Sequence, residues 1–222
     1  MNNKIEDDQI SVDGYKLVRK DRKCGNFWGG CVMYYKNCLN VIERDDICSK
    51  SDLEQVWIDL MLASQRLLLG TFYRPPTDNQ FFDKFHAILD DLWLKRSNIM
   101  VMGDFNSDIK SSVEKRLLKV TRNVGLEDVI KEPTRTTEFS NTIIDLIFTS
   151  HKSKVKIAGC YAPGISDHHL VYAVVNLRRQ KSSPVIKEVT DFKNLNCDKL
   201  RHDLSTAPWS FCEIFDDVDD VA

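Results

Sequence analysis

Four short stretches of this 222-residue chain carry side chains that could do chemistry. In Gly103-Asp104-Phe105-Asn106 a carboxylate and a carboxamide stand two residues apart, and in extended backbone such residues point the same way. Asp104 can orient and deprotonate a water, while Asn106 can donate to a developing oxyanion or hold that water in place. The same residue types also make an Asx turn at a strand end, and four residues do not choose between the two. Ser166-Asp167-His168, with His169 behind it, follows Pro163-Gly164 and precedes an apolar run. Its imidazole can bear a proton near neutrality and stabilise a phosphoryl oxygen, and Asp167 can hold a divalent cation or share in activating water. A solvated polar turn has the same composition. In Thr142-Ile143-Ile144-Asp145-Leu146-Ile147-Phe148 a single carboxylate interrupts an apolar run, where a charge is costly unless paired. A histidine partner would satisfy Asp145 and have its tautomer fixed in return; water at a strand edge would serve as well. Tyr73-Arg74-Pro75-Pro76 sets a phenol and a guanidinium, both able to contact phosphate, on a stiff corner, or is a turn with a stacked tyrosine. His86, His151 and His202 have no companions that suggest ligation.

These residues need elements to position them. Residues 98–102 (NIMVM) are almost wholly apolar and run straight into Gly103, which predicts a strand buried on both faces at the centre of a sheet, with Asp104 and Asn106 at its C-terminal end. Phe81, Phe82, Phe85, Ile88, Leu89, Leu92 and Trp93 recur at three- and four-residue steps, predicting a helix over 79–95 capped by Thr77 or Asp78. Residues 14–20 and 30–36 read as a hairpin around Gly25 and Asn26, and 55–62 and 66–73 as two further strands joined by a short link. A helix is expected over 112–123, and strands over 142–148, 155–160 and 169–176.

The length suits one large domain and an appendage. With 42% apolar and 29% charged residues and a mean hydropathy of -0.33, a disordered chain and a membrane span are excluded. Thirty-one Lys and Arg against 33 Asp and Glu leave a net charge of -2, so nucleic acid or lipid would have to be drawn by a local patch. The polar, acidic start of the chain lacks the apolar stretch of a secretory signal, and seven cysteines without a CxxC pair argue against a disulfide framework or a zinc site. An intracellular protein, nuclear or cytoplasmic, with reduced thiols is expected. The organisation expected is a disordered 1–11, a domain over 12–177, and a basic linker with a short helical connector, helix over 194–204, in 178–222.

Taken in order, YRPP, GDFN, the aspartate of TIIDLIF and SDH resemble the endonuclease/exonuclease/phosphatase superfamily, most closely the apurinic-like endonuclease domain of non-LTR retrotransposon polyproteins. There a strand like GYKLVRKDR, then TFYRPP, IMVMGDFN, an EPTRTT loop and SDHHLVY follow one another much as here. The resemblance implies an α/β fold of the mixed α+β kind, a four-layered α/β/β/α sandwich, and a DNA-nicking endonuclease that hydrolyses phosphodiester bonds with Mg²⁺ or Mn²⁺. By the same resemblance Asp104 would activate water assisted by Asn106. His168, oriented by Asp145, would stabilise the phosphoryl transition state, Asp167 would serve the metal, and Tyr73 would contact the scissile phosphate. Arg74, Arg19 and Arg22 are candidate nucleic-acid contacts, the last two within a basic run with Lys16, Lys20 and Lys23 that could equally be the solvated side of a hairpin.

Family members begin with a strand bearing an Asn and another ending in a Glu, the principal metal ligand, and both precede the first strand matched here. Glu6 and Glu43 are poor substitutes, so the fold is expected to be incomplete at those N-terminal strands and the metal to be weakly held. Two other functions therefore stand beside the nuclease: a catalytically impaired retroelement remnant, and a nucleic-acid-binding module without turnover.

Overall fold

The computed structural model describes residues 5–22, 29–63, 65–95, 98–111, 115–177 and 195–209. The turn holding Lys23, Gly25 and Asn26, the linker from Arg178 and the acidic end lie outside them. The chain divides into two compact units, Met1–Lys181 and Ser182–Ala222.

The first unit is built on a six-stranded sheet in the order β3(Val41–Glu43), β4(Glu54–Met61), β5(Arg66–Tyr73), β6(Ile99–Asp104), β10(Asp145–Thr149), β7(Glu127–Asp128). β5 and β6 are parallel, so the chain between them must cross over, and α2(Phe81–Trp93) is that crossover. The expected central strand is β6, with Ile99, Met100 and Val101 buried and hydrogen-bonded neighbours on both sides. Its Gly103 has φ of +148°, and a Cβ there would lie 1.8 Å from the Phe72 carbonyl oxygen, so only glycine fits.

Alternation decides what each face of the sheet meets. Leu68 and Phe72 of β5 turn toward α2, where Phe72, Phe81, Phe85 and Phe105 pack ring against ring at centroid distances of 4.9–6.3 Å. Trp57 of β4 joins them edge-on and donates its indole N–H to Gln55 at 2.7 Å. Asp78 caps α2, its Oδ1 accepting from the amides of Gln80 and Phe81. α3(Lys115–Asn123) packs beside α2 and buries Leu117, Val120 and Thr121. The opposite face of the sheet carries two separate antiparallel hairpins. β1(Tyr15–Asp21) and β2(Gly30–Lys36) lie over β4 and β5, and β12(Leu170–Val175), paired with β11(Val155–Tyr161), lies over β10.

The expected α/β fold is therefore present, as three of the four expected layers among the described residues. Among the described residues of the first unit no helix covers the outer side of the second hairpin, where Ile157, Tyr161, Leu170, Tyr172 and Val174 are exposed. The expected strand over 142–148 is interrupted. Asn141 and Thr142 (β9) pair with Arg135 and Thr136 (β8), and β10 starts only at Asp145, because the amides of Ile144 and Asp145 bond the Thr134 hydroxyl in place of a neighbouring strand. In the second unit α4(Cys197–Thr206) is capped by Asn196, which accepts from the Lys199 amide. Among the described residues no helix is long and apolar enough to cross a membrane.

Candidate active site

Strand register assembles the site. Glu54, Tyr73, Asp104 and Asp145 are successive cross-strand partners on β4, β5, β6 and β10, so four chemically able side chains form one row at one end of the sheet and on one face. Asp104 and Asp145 are half-buried neighbours. His168 reaches them from the loop before β12, and its Nδ1 lies 2.9 and 3.2 Å from the two oxygens of Asp145. Paired to a carboxylate, that nitrogen carries the proton, which leaves Nε2 to meet a substrate.

Asn106 has φ of 44°, a left-handed conformation that Asn tolerates better than most residues. The bend brings it back onto Asp104. Its amide donates to Asp104 Oδ1 at 2.9 Å, and its Nδ2 donates to Asp104 Oδ2 at 3.1 Å and to the Arg74 carbonyl at 2.9 Å. Both side-chain N–H groups are thus used. The oxyanion-donor role considered for Asn106 is corrected accordingly: in this geometry it fixes Asp104 and offers its own oxygen as an acceptor.

Burial raises the Asp104 carboxyl above the ordinary carboxylate range; the Asn106 amide opposes this and the Asp145 charge adds to it. Burial also raises Asp145, against the pull of His168 and Thr134. Two carboxylates held together against their own repulsion fit a divalent cation, which would repay both costs. Asp104, Asp145 and His168 form the group that could hold one, with ligand atoms within 4.8 Å of one another.

Asp167 is not part of that group. It is exposed, and Arg135 Nε donates to its Oδ2 at 2.7 Å, holding its carboxyl below the ordinary range. Arg74 is likewise corrected as a phosphate contact. Its buried guanidinium donates inward, to the carbonyls of Asn106 at 2.8 Å, Phe105 and Asp78 at 3.3 Å and Pro76 at 3.4 Å, and it stacks over Phe82. It shapes the corner that carries the site. Tyr73 stands in the row with its ring under the Arg22 guanidinium, 5.4 Å from the centroid, and Arg22 grips Glu54 through two hydrogen bonds. Arg19 bonds Asp7 and the Ile5 carbonyl, and Lys20 donates to the carbonyls of Cys48 and Ser51. The basic run of β1 is therefore largely spent within the protein.

The segment from Pro133 to Thr136 carries no assigned role in the sequence, yet it ties the site together. Thr134 holds the start of β10 through its hydroxyl, and its carbonyl accepts from His169 at 2.6 Å. Arg135 bridges to the backbone of His168, and the Thr136 amide donates to Asp167. Its place in the EPTRTT loop, a run of hydroxyls with one arginine between two motif-bearing strands, is the signal that marks it.

A half-buried carboxylate pair, an oriented imidazole and a restrained carboxamide at one end of an α/β sandwich define a class of protein. Residues 67–172 match the family described as endonuclease-reverse transcriptase. Among solved structures it is similar to the endonuclease domain of TRAS1, a telomere-specific non-LTR retrotransposon (13% identity, TM-score 0.60, covering 76% of this chain and 83% of that one). It is also similar to the 3′-5′ exonuclease NExo from Neisseria meningitidis (16% identity, TM-score 0.56, covering 73% and 80%). The 3′ phosphatase NExo from Neisseria bound to a product DNA hairpin aligns at 14% identity and TM-score 0.52, covering 73% and 79%. At these identities the likeness is one of fold. No curated protein matches the chain in sequence.

Proposed function

We propose that this protein is a metal-dependent phosphodiesterase that nicks DNA. The observation that carries the reading is the Asp104–Asn106 and Asp145–His168 pairs meeting at one end of the sheet. Asp104 and Asp145 would hold the cation, Mg²⁺ or Mn²⁺, with His168 beside them. When bound, the cation supplies positive charge to the phosphate oxygens and sharpens the acidity of water. Asp104, raised by burial, is the base that takes a proton from the attacking water once it is ionised, and Asn106 keeps its carboxylate from turning away. His168 presents Nε2 to the phosphoryl oxygens while Asp145 holds its ring. Tyr73, in the same row, would meet the phosphate from the other side of Asp104. Incubation with supercoiled plasmid and Mg²⁺ or Mn²⁺ tests the proposal. The open-circular product is expected from the wild type and not from Asp104→Ala or His168→Ala; equal nicking by all three would end it.

A second reading, a chain impaired in turnover, is favoured by one specific observation. Among the described residues no glutamate joins the cation group: Glu6 caps its own turn, Glu43 bonds the Tyr35 hydroxyl, and Glu54 is held by Arg22. Turnover at a rate that saturates with millimolar Mg²⁺ would exclude it.

A further inference from the structure

Among the described residues many arginines and lysines are neutralised by a carboxylate, while four of those without an ion pair stand together. Arg19, Arg22, Arg44, Lys50, Lys84, Lys95, Arg116, Lys131, Arg135 and Lys152 are each ion-paired. Lys110, Lys115, Lys119 and Arg122 are all exposed, and among the described residues none of them makes an ion pair. These four line a single cavity of about 440 Å³ together with Ile109 and Leu118, and among the described residues no acidic side chain lines it. A smaller neighbouring cavity, which shares Arg122 with it, shows the contrast: there Lys131 is paired with Asp128 and Lys152 with Glu127. On α3 the three cations stand at i, i+4 and i+7, one stripe of like charge that weakens a helix unless an anion lies across it. Arg116, on another side of the same helix, is paired with Asp83.

We propose that this cavity is a nucleic-acid phosphate site, a second anchor for the strand whose phosphodiester meets the Asp104 end of the sheet. The choice of nucleic acid as the polyanion rests on the nuclease reading; the site itself rests on the unpaired cations. Lys110 follows Asp104 by six residues, so the two are at most about 21 Å apart along the chain, which spans about six phosphates of one strand. The connection is also firm. The Phe105 amide donates to the Ile144 carbonyl and the Ile109 amide to the Ile143 carbonyl, and Asp108 Oδ1 accepts from the Ile143 and Lys110 amides. The loop from the site to the cations is thereby laced to the residues that lead into Asp145.

The test is binding of a fluorescent DNA duplex by the 222-residue protein in EDTA, followed by anisotropy across a KCl series. Removing one cation that neutralises a phosphate lowers the slope of log K against log [salt] by about 0.9, or about eightfold in affinity at 0.1 M salt. The double variant Lys115→Gln/Lys119→Gln is therefore expected to lose about 1.8 from the slope, and Lys110→Gln about half that. Lys156→Gln, an exposed and unpaired cation on β11, is expected to match wild type. An unchanged slope in the double variant overturns the proposal, as does failure of the wild type to bind. Two outcomes with another ligand also overturn it: capture of inorganic phosphate, or of phosphatidylserine vesicles, that needs Lys115 and Lys119 while duplex binding does not. Plasmid nicking separates this idea from the one beneath it. Nicking that persists with an unchanged slope removes the anchor alone, whereas a cluster-dependent slope with no nicking removes the nuclease reading and leaves the anchor.

Discussion

The pairing of Asp145 with His168 yields the sharpest consequence. Truncating Asp145 to Ala removes an ionic hydrogen bond at 2.9 Å between side chains only 14% and 32% exposed. A hydrogen bond to a charged group contributes about 1.5–3 kcal/mol, and at 1.36 kcal/mol per factor of ten its loss from the transition state slows the reaction about ten- to hundredfold. The fold is expected to hold, because the backbone amide of Asp145 remains bonded to Thr134 and a desolvated carboxylate is removed. Initial nicking rates on supercoiled plasmid measure the kinetic loss. Nitrogen-15 chemical shifts of the His168 ring measure its cause, since the proton on Nδ1 is kept there by the carboxylate and moves to Nε2 once it is gone. The two readouts are independent. A His168 ring whose tautomer is the same with and without Asp145 refutes the reasoning, even in a chain that turns over too slowly to assay, and so does a nicking rate within about twofold of wild type.

Two further outcomes follow from the same geometry. Asp104 and Asp145 both lie above the ordinary value of 3.8, so folding favours their neutral forms; the stability these two groups contribute is fully present below 3.8 and is lost as pH rises through the raised values. Asp104→Asn is therefore expected to gain thermal stability over wild type across that window in metal-free buffer. A stability difference that is the same on both sides of the window contradicts this. Gly103→Ala sets a Cβ 1.8 Å from the Phe72 carbonyl oxygen at the centre of the sheet and is expected to cost about 3 kcal/mol or more in urea denaturation; a loss below about 1 kcal/mol would show that β5 and β6 can part without consequence.

Much of this protein was legible residue by residue because the relevant physics is local. The apolar run 98–102 could be nothing but a buried strand, the 3.6-residue period of the phenylalanines made α2, and Asp78 stood where a cap was needed. The isolated Asp145 announced a partner by the cost of its burial, and His168 is beside it. Position in the row across β4, β5, β6 and β10 was not legible, because register is set by the whole sheet and joins residues as distant as Glu54 and Asp145. Arginine and lysine misled for a related reason. A cation's role depends on which carboxylate or carbonyl the fold brings to it. So Arg74 turns inward to hold the corner and Arg22 grips Glu54. Asp167 is taken by Arg135, and four cations without an ion pair stand together on and beside α3, where the sequence drew no attention. Neighbouring side chains were enough to say which residues could act and which elements carry them, since burial and periodicity are written in local order. Which of those residues meet, and which charges are left over, came from the folded chain alone, because pairing is a property of distance through space.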